Sequence, residues 1–246
     1  MKHINLILIF LLIFNQSNSQ QLTKQYESLK YKNFKISYEK ELNPEDVKFI
    51  AIKIDSLLNE WKLILKIKRV RNIEFRMYKS DKSYKNKTNV KFNQDVYHNQ
   101  NIIHLSPKIF DRKSLSSDKI LVNAVILALL SESGKRGCPK WLIDSYAIYF
   151  SGLKESEQQA TLNISGNLKD FKQEYSQLKK ETQYNAFLSK SFHFIDFVNK
   201  RYGNDKLNFL FKAFNGKRSE EEAFEFALGE KFEEIEKAWN NFIKRN

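Results

Sequence analysis

Cys138 is the only cysteine in the chain, so no intramolecular disulfide can form, even in a compartment that would permit one. Proline and glycine are almost as scarce, at 3 and 7 residues, and neither a low-complexity linker nor an internal repeat interrupts the sequence. Beyond residue 20 no apolar run approaches the roughly 20 residues a helix needs to cross hydrocarbon. Even Ile120 to Leu130 is bounded by charge on both sides. Acidic residues are outnumbered 29 to 42 by lysine and arginine, a net charge of +13. Stability therefore rests on packing, for which 41% apolar and 14% aromatic residues are ample material.

An excess of positive charge raises nucleic acid, anionic membranes and acidic polymers as partners. Here Lys, Asn, Ile, Phe and Tyr are plentiful while Gly, Pro and Trp are rare, a bias that an AT-rich coding sequence produces without any binding site. No specific nucleic-acid interaction is expected. One stretch is locally extreme: Lys62 to Lys91 carries eleven basic residues against Glu74 and Asp81. It is a candidate contact for an anionic polymer or membrane surface.

The first residues pair a cationic Lys2 with an apolar run from Ile4 to Phe14 broken only by Asn5, then Asn15-Gln16-Ser17-Asn18-Ser19. This is the pattern of a secretory signal peptide, with Ser17 and Ser19 suited to a cleavage site. Residues 1–19 are thus expected to be removed, leaving an exported protein, periplasmic or extracellular and soluble. The remainder divides by pattern at about residue 116.

In residues 20–116, Asn33 to Tyr38 and Asn72 to Tyr78 alternate apolar and polar side chains, the mark of half-buried strands, and Asn101 to Leu105 is a short apolar run. Asn43-Pro44-Glu45-Asp46 opens a long helix with Val47, Ile50, Ile54, Leu57, Leu58 and Trp61 at helical spacing. A small antiparallel sheet packed on that helix is expected. From Ser117 onward the pattern is helical throughout: Ile120 to Ser131, Pro139 to Phe150, Leu168 to Leu178, Phe187 to Tyr202, Asp205 to Phe214, Ser219 to Leu228 and Phe232 to Ile243. Sheet first and helices last predicts an α+β fold.

Within the helical half, Leu121-Val122-Asn123-Ala124-Val125-Ile126-Leu127-Ala128-Leu129-Leu130 is followed, eight residues on, by Pro139-Lys140-Trp141-Leu142-Ile143-Asp144-Ser145-Tyr146-Ala147-Ile148-Tyr149-Phe150. The two segments resemble the active-site helices of the peptidase MA-like gluzincins, A-H-E-L-T-H-x-L and P-x-W-L-x-E-G-x-A-x-Y-F. Ser191 to Gly203 and Ala223 to Trp239 are similar to later segments of the same family, so the resemblance spans roughly residues 117–246. In that family two histidines one helical turn apart hold zinc, the glutamate after the first activates a water, and a glutamate on the second helix completes the ligand set.

Laid on this chain, the resemblance puts Asn123 and Leu127 at the histidine positions, Ala124 at the base and Asp144 at the third ligand. Of these only Asp144 could ligate, so zinc is expected to be lost and no cofactor to replace it. His98 and His104 read as polar positions on an exposed or edge strand, and His193 as a surface or hydrogen-bonded helix residue. Cys138 precedes a helix N-terminus, a setting that can lower a thiol pKa. Lys135 and Arg136 would line the mouth of the former cleft and suit an anionic ligand, while Tyr184 would serve packing or binding there. The function expected is an exported pseudopeptidase that binds a protein or peptide, or scaffolds one. Two alternatives stay open: a secreted hydrolase with retained or rebuilt activity, and a basic envelope-associated adhesive protein.

Overall fold

A computed structural model describes residues 25–70, 73–99, 101–111, 114–153, 167–214 and 216–244, without the side chains of 132–135. The signal segment 1–19 and Arg71 lie outside the described residues, as does the side chain of Lys135.

Five strands come first: β1 (Tyr26–Tyr31), β2 (Phe34–Glu39), β3 (Ile73–Met77), β4 (Val96–Asn99) and β5 (Ile102–Leu105). Between them lie α1 (Pro44–Ile64) and the short α2 (Asp81–Thr88). Helices α3 (Leu115–Lys135), α4 (Lys140–Ser151), α5 (Phe171–Ser176), α6 (Glu181–Tyr202), α7 (Asn204–Ala213), α8 (Glu220–Leu228) and α9 (Phe232–Ile243) complete the chain. The α+β class is as the sequence predicts.

The sheet has the order β1-β2-β3-β5-β4, and its direction corrects the antiparallel expectation. β1 and β2 pair antiparallel, as do β4 and β5, but both central pairings, β2 with β3 and β3 with β5, are parallel. Alternating side chains look the same in either direction. The direction is set by the connection: α1, at 21 residues, is long enough to carry the chain back to the edge where β2 began.

Local chemistry accounts for the elements. Asn43 caps α1 by accepting the Glu45 amide (2.9 Å), Pro44 follows at the first position, and Val47, Ile50, Ile54, Leu58 and Trp61 form its buried stripe. Ser80 caps α2 in the same way through the Ser83 amide. Helix α3 is buried on nearly every side from Ile120 to Leu130, which its lack of a polar face requires. It runs on to Lys135, past the predicted end at Ser131. The turn to α4 is made at Gly137 with φ of 98°, a conformation that L side chains rarely adopt. That turn folds α4 back against α3.

Candidate functional site

Helices α3 and α4 bring together the residues the sequence set in correspondence. Asn123 and Leu127 lie one turn apart on α3 and face Asp144 of α4 across one cavity, which Lys140, Tyr184 and His98 of β4 also line. The cavity is small, about 30 Å³, room for one or two waters. Ala124, fully buried, packs into the core and not into the cavity lining.

Asp144 is buried, and its Oδ2 accepts two short hydrogen bonds: from Lys140 Nζ at 2.6 Å and from the Tyr175 hydroxyl at 2.6 Å. The cation beside Asp144 is thus on its own helix, one turn earlier. Tyr175 lies on α5, and burial together with the Asp144 charge pushes its hydroxyl far above the ordinary range. Burial, aided by Asp144, does the same to Tyr184, whose ring stacks on Phe92 at 4.5 Å. Opposite this satisfied carboxylate, the Asn123 amide nitrogen is buried with no acceptor among the described residues. A buried N–H left unpaired costs about 1–3 kcal/mol, so this is the least stable polar position of the site.

The remaining candidates fall elsewhere. Arg136 is exposed in the α3–α4 turn and Cys138 is buried beside it, and neither lines the cavity. The thiol is not activated by the helix terminus that follows it. Burial, reinforced by the nearby Glu220 carboxylate, pushes Cys138 up and not down, because desolvating a thiolate outweighs a helix terminus. His104 is also corrected. It lies on β5, between β3 and β4, and is buried with Nδ1 2.5 Å from the Tyr78 hydroxyl. Burial, then the Arg76 charge, lowers its pKa to about 4. His193 is half-buried on α6, and burial lowers its pKa too.

Sequence reasoning missed Lys140 and Tyr175. The first was within reach, since a cation and a carboxylate four apart on a helix face each other. The second, 31 residues from Asp144, left no local signal. The basic stretch is interrupted by β3. Its Lys62–Arg69 part and its Lys79–Lys91 part leave opposite ends of β3, and Lys66, Arg76 and Lys79 are paired with Asp205, Glu74 and Glu41.

The family model of the peptidase MA superfamily matches residues 88–245, from the end of α2 through α9. No curated protein matches the chain.

Proposed function

The chain belongs to the peptidase MA superfamily, and on that premise we propose that it is an exported pseudopeptidase, a binding or scaffolding domain that keeps the metallopeptidase scaffold without its metal chemistry. The observation that carries this reading is the donor set around the cavity. A zinc site takes about three protein donors of nitrogen, sulfur or carboxylate type. The corresponding positions offer one carboxylate already engaged by Lys140 and Tyr175, one amide and one alkyl chain.

No cluster of three or more His, Cys, Asp or Glu side chains suited to a metal occurs among the described residues. The residues do not fit zinc, and Ala124 offers no base, so no hydrolytic step is assigned to them. Export is inferred from residues 1–19, and among the described residues no helix is long and apolar enough to cross a membrane.

Zinc retention tests the reading. Purified protein incubated with zinc and dialysed should hold far less than one equivalent by elemental analysis. Replacing Asn123 and Leu127 by histidine should raise retention to near one equivalent, because both positions already face Asp144. Stoichiometric zinc on the unaltered chain, lost on Asp144→Ala, would overturn the proposal.

A further inference from the structure

The solvent side of α1 carries large apolar side chains. Opposite the buried stripe that ends at Trp61, Phe49, Ile52 and Leu63 are 38, 52 and 80% exposed. At about 100° per residue these three and the exposed Ser56 fall within about 60° of one another around the helix, so they form one line along its outer face. Leu115, 81% exposed, opens α3 one turn before Asp118. Asp118 accepts from Lys53 of α1 at 2.7 Å, and the same ammonium lies over the Phe49 ring at 5.2 Å, so Leu115 extends the Phe49 end of the line. These are four of the six large apolar side chains exposed among the described residues. The other two cover each other: the rings of Phe209 and Phe226 are 5.5 Å apart, and Arg218 lies over Phe226 at 3.9 Å.

The line is symmetric about one residue. Phe49 and Leu63 stand seven positions either side of Ser56, about 10 Å each way along the axis. Turned end for end, α1 presents Leu63 where Phe49 was and Phe49 where Leu63 was, with the small Ser56 at the point where two packed helices come closest. The charges follow the same rule. Lys53 and Glu60 lie on one flank of the line, three positions before and four after Ser56, so reversal sets each against the other. An ammonium has three donors and can hold Asp118 and a second carboxylate together. Self-complementarity of this kind is what a two-fold contact requires, since where one residue meets a second, the second must meet the first. Glu45 and Glu60 on the same face would oppose an anionic lipid surface.

We propose that a second copy of this chain docks here, α1 against α1 in antiparallel, on a two-fold axis at Ser56. Phe49, Ile52 and Leu115 of each copy receive Leu63 of the other. The strip is about 30 Å long and 10 Å wide on each copy, well below the roughly 1,600 Å² of a standard interface. On the second flank Lys48 approaches Lys62 of the other copy. Both facts make the dimer weak and dependent on concentration. The inference goes beyond the pseudopeptidase reading and does not depend on it, since no residue of α1 lines the cavity.

Sedimentation velocity of the purified protein from about 5 to 500 µM, a range that spans weak interfaces, should show monomer passing to dimer. Leu63→Glu should weaken association about tenfold or more, because each dimer loses the contact twice, and should leave circular dichroism unchanged at so exposed a site. Lys48→Glu, which sets opposite charges on the second flank, should tighten association a few-fold. Ser56→Cys brings two introduced thiols together at the axis, and Cys138 is only 5% exposed and does not compete. Mild oxidation should therefore link most of the Ser56→Cys variant into disulfide dimers and leave a Lys237→Cys control mostly monomeric. A monomer at every concentration would overturn the proposal. So would a dimer that Leu63→Glu leaves intact, or cross-linking of Ser56→Cys no faster than that of Lys237→Cys.

Discussion

One helical turn separates Trp141 from Asp144 on α4, yet the two lie in regions built on different principles. Trp141 is 1% exposed, with ring centroids of Phe171, Phe194 and Phe187 at 4.9, 5.7 and 6.5 Å and its indole N–H on Glu220 at 3.3 Å. Phe171 and Phe194 in turn meet Trp239 of α9, so one aromatic cluster ties α4, α5, α6 and α9 together. Around Asp144 there is instead a cavity, a carboxylate held by two donors, and an amide nitrogen with no acceptor among the described residues. The first region holds the fold through apolar area and shape, which few substitutions preserve. The second is held by a few polar pairs, and its members can be exchanged while the helices stay in place.

Trp141→Ala tests the first half of that contrast most severely. It should lower stability by about 3–5 kcal/mol, read from urea denaturation, and a loss under about 1 kcal/mol would mean that the aromatic cluster does not hold the helices together.

A smaller effect is expected on the sheet side, where the buried polar pair of His104 and Tyr78 is fully satisfied. In the unfolded chain His104 titrates at its ordinary value near 6.5, and in the folded protein at about 4. Between those values the unfolded state binds the extra proton. The contribution is thus fully present above about pH 6.5 and lost as pH falls toward 4, by about 3 kcal/mol at most. Denaturation midpoints from pH 7.5 to 4 should show this loss, and His104→Gln, which keeps an acceptor for Tyr78 without titrating, should flatten it.

Changes within the cavity should matter less. Asp144→Ala removes the acceptor of the Tyr175 hydroxyl and should cost about 2 kcal/mol, whereas Asn123→Leu removes an unpaired amide and should stabilise by about 1 kcal/mol. If Asn123→Leu proved strongly destabilising in the same urea titration, the amide would have a partner after all and the contrast between the two regions would fail.

The helical half was readable because its signals are local. Phe232–Ile243 is observed at the predicted limits, and Pro139 and Gly152 bracket α4. Other elements were faint. β1 offers only partial alternation, α2 has a single buried turn formed by Tyr84 and Thr88, and β4 is four residues long. None carries enough periodic residues to stand out. In the site, the shared face of Asn123 and Leu127 was legible in their spacing, because two positions four apart on a helix lie one above the other. What met Asp144 from α5 was not.

The sequence by itself determined which residues are apolar and where helices cap and stop, because these are properties of single residues and short windows, and its resemblance to the family implied that Asn123, Ala124 and Leu127 stand where a metal site would need donors and a base. Tertiary structure alone decided the parallel pairing of the central strands, the burial that makes His104 hard to protonate and Cys138 hard to ionise, and the closing of Tyr175 onto Asp144. Each of these depends on desolvation or on contact between distant segments, and both arise when the chain has folded and water has left the interface between them.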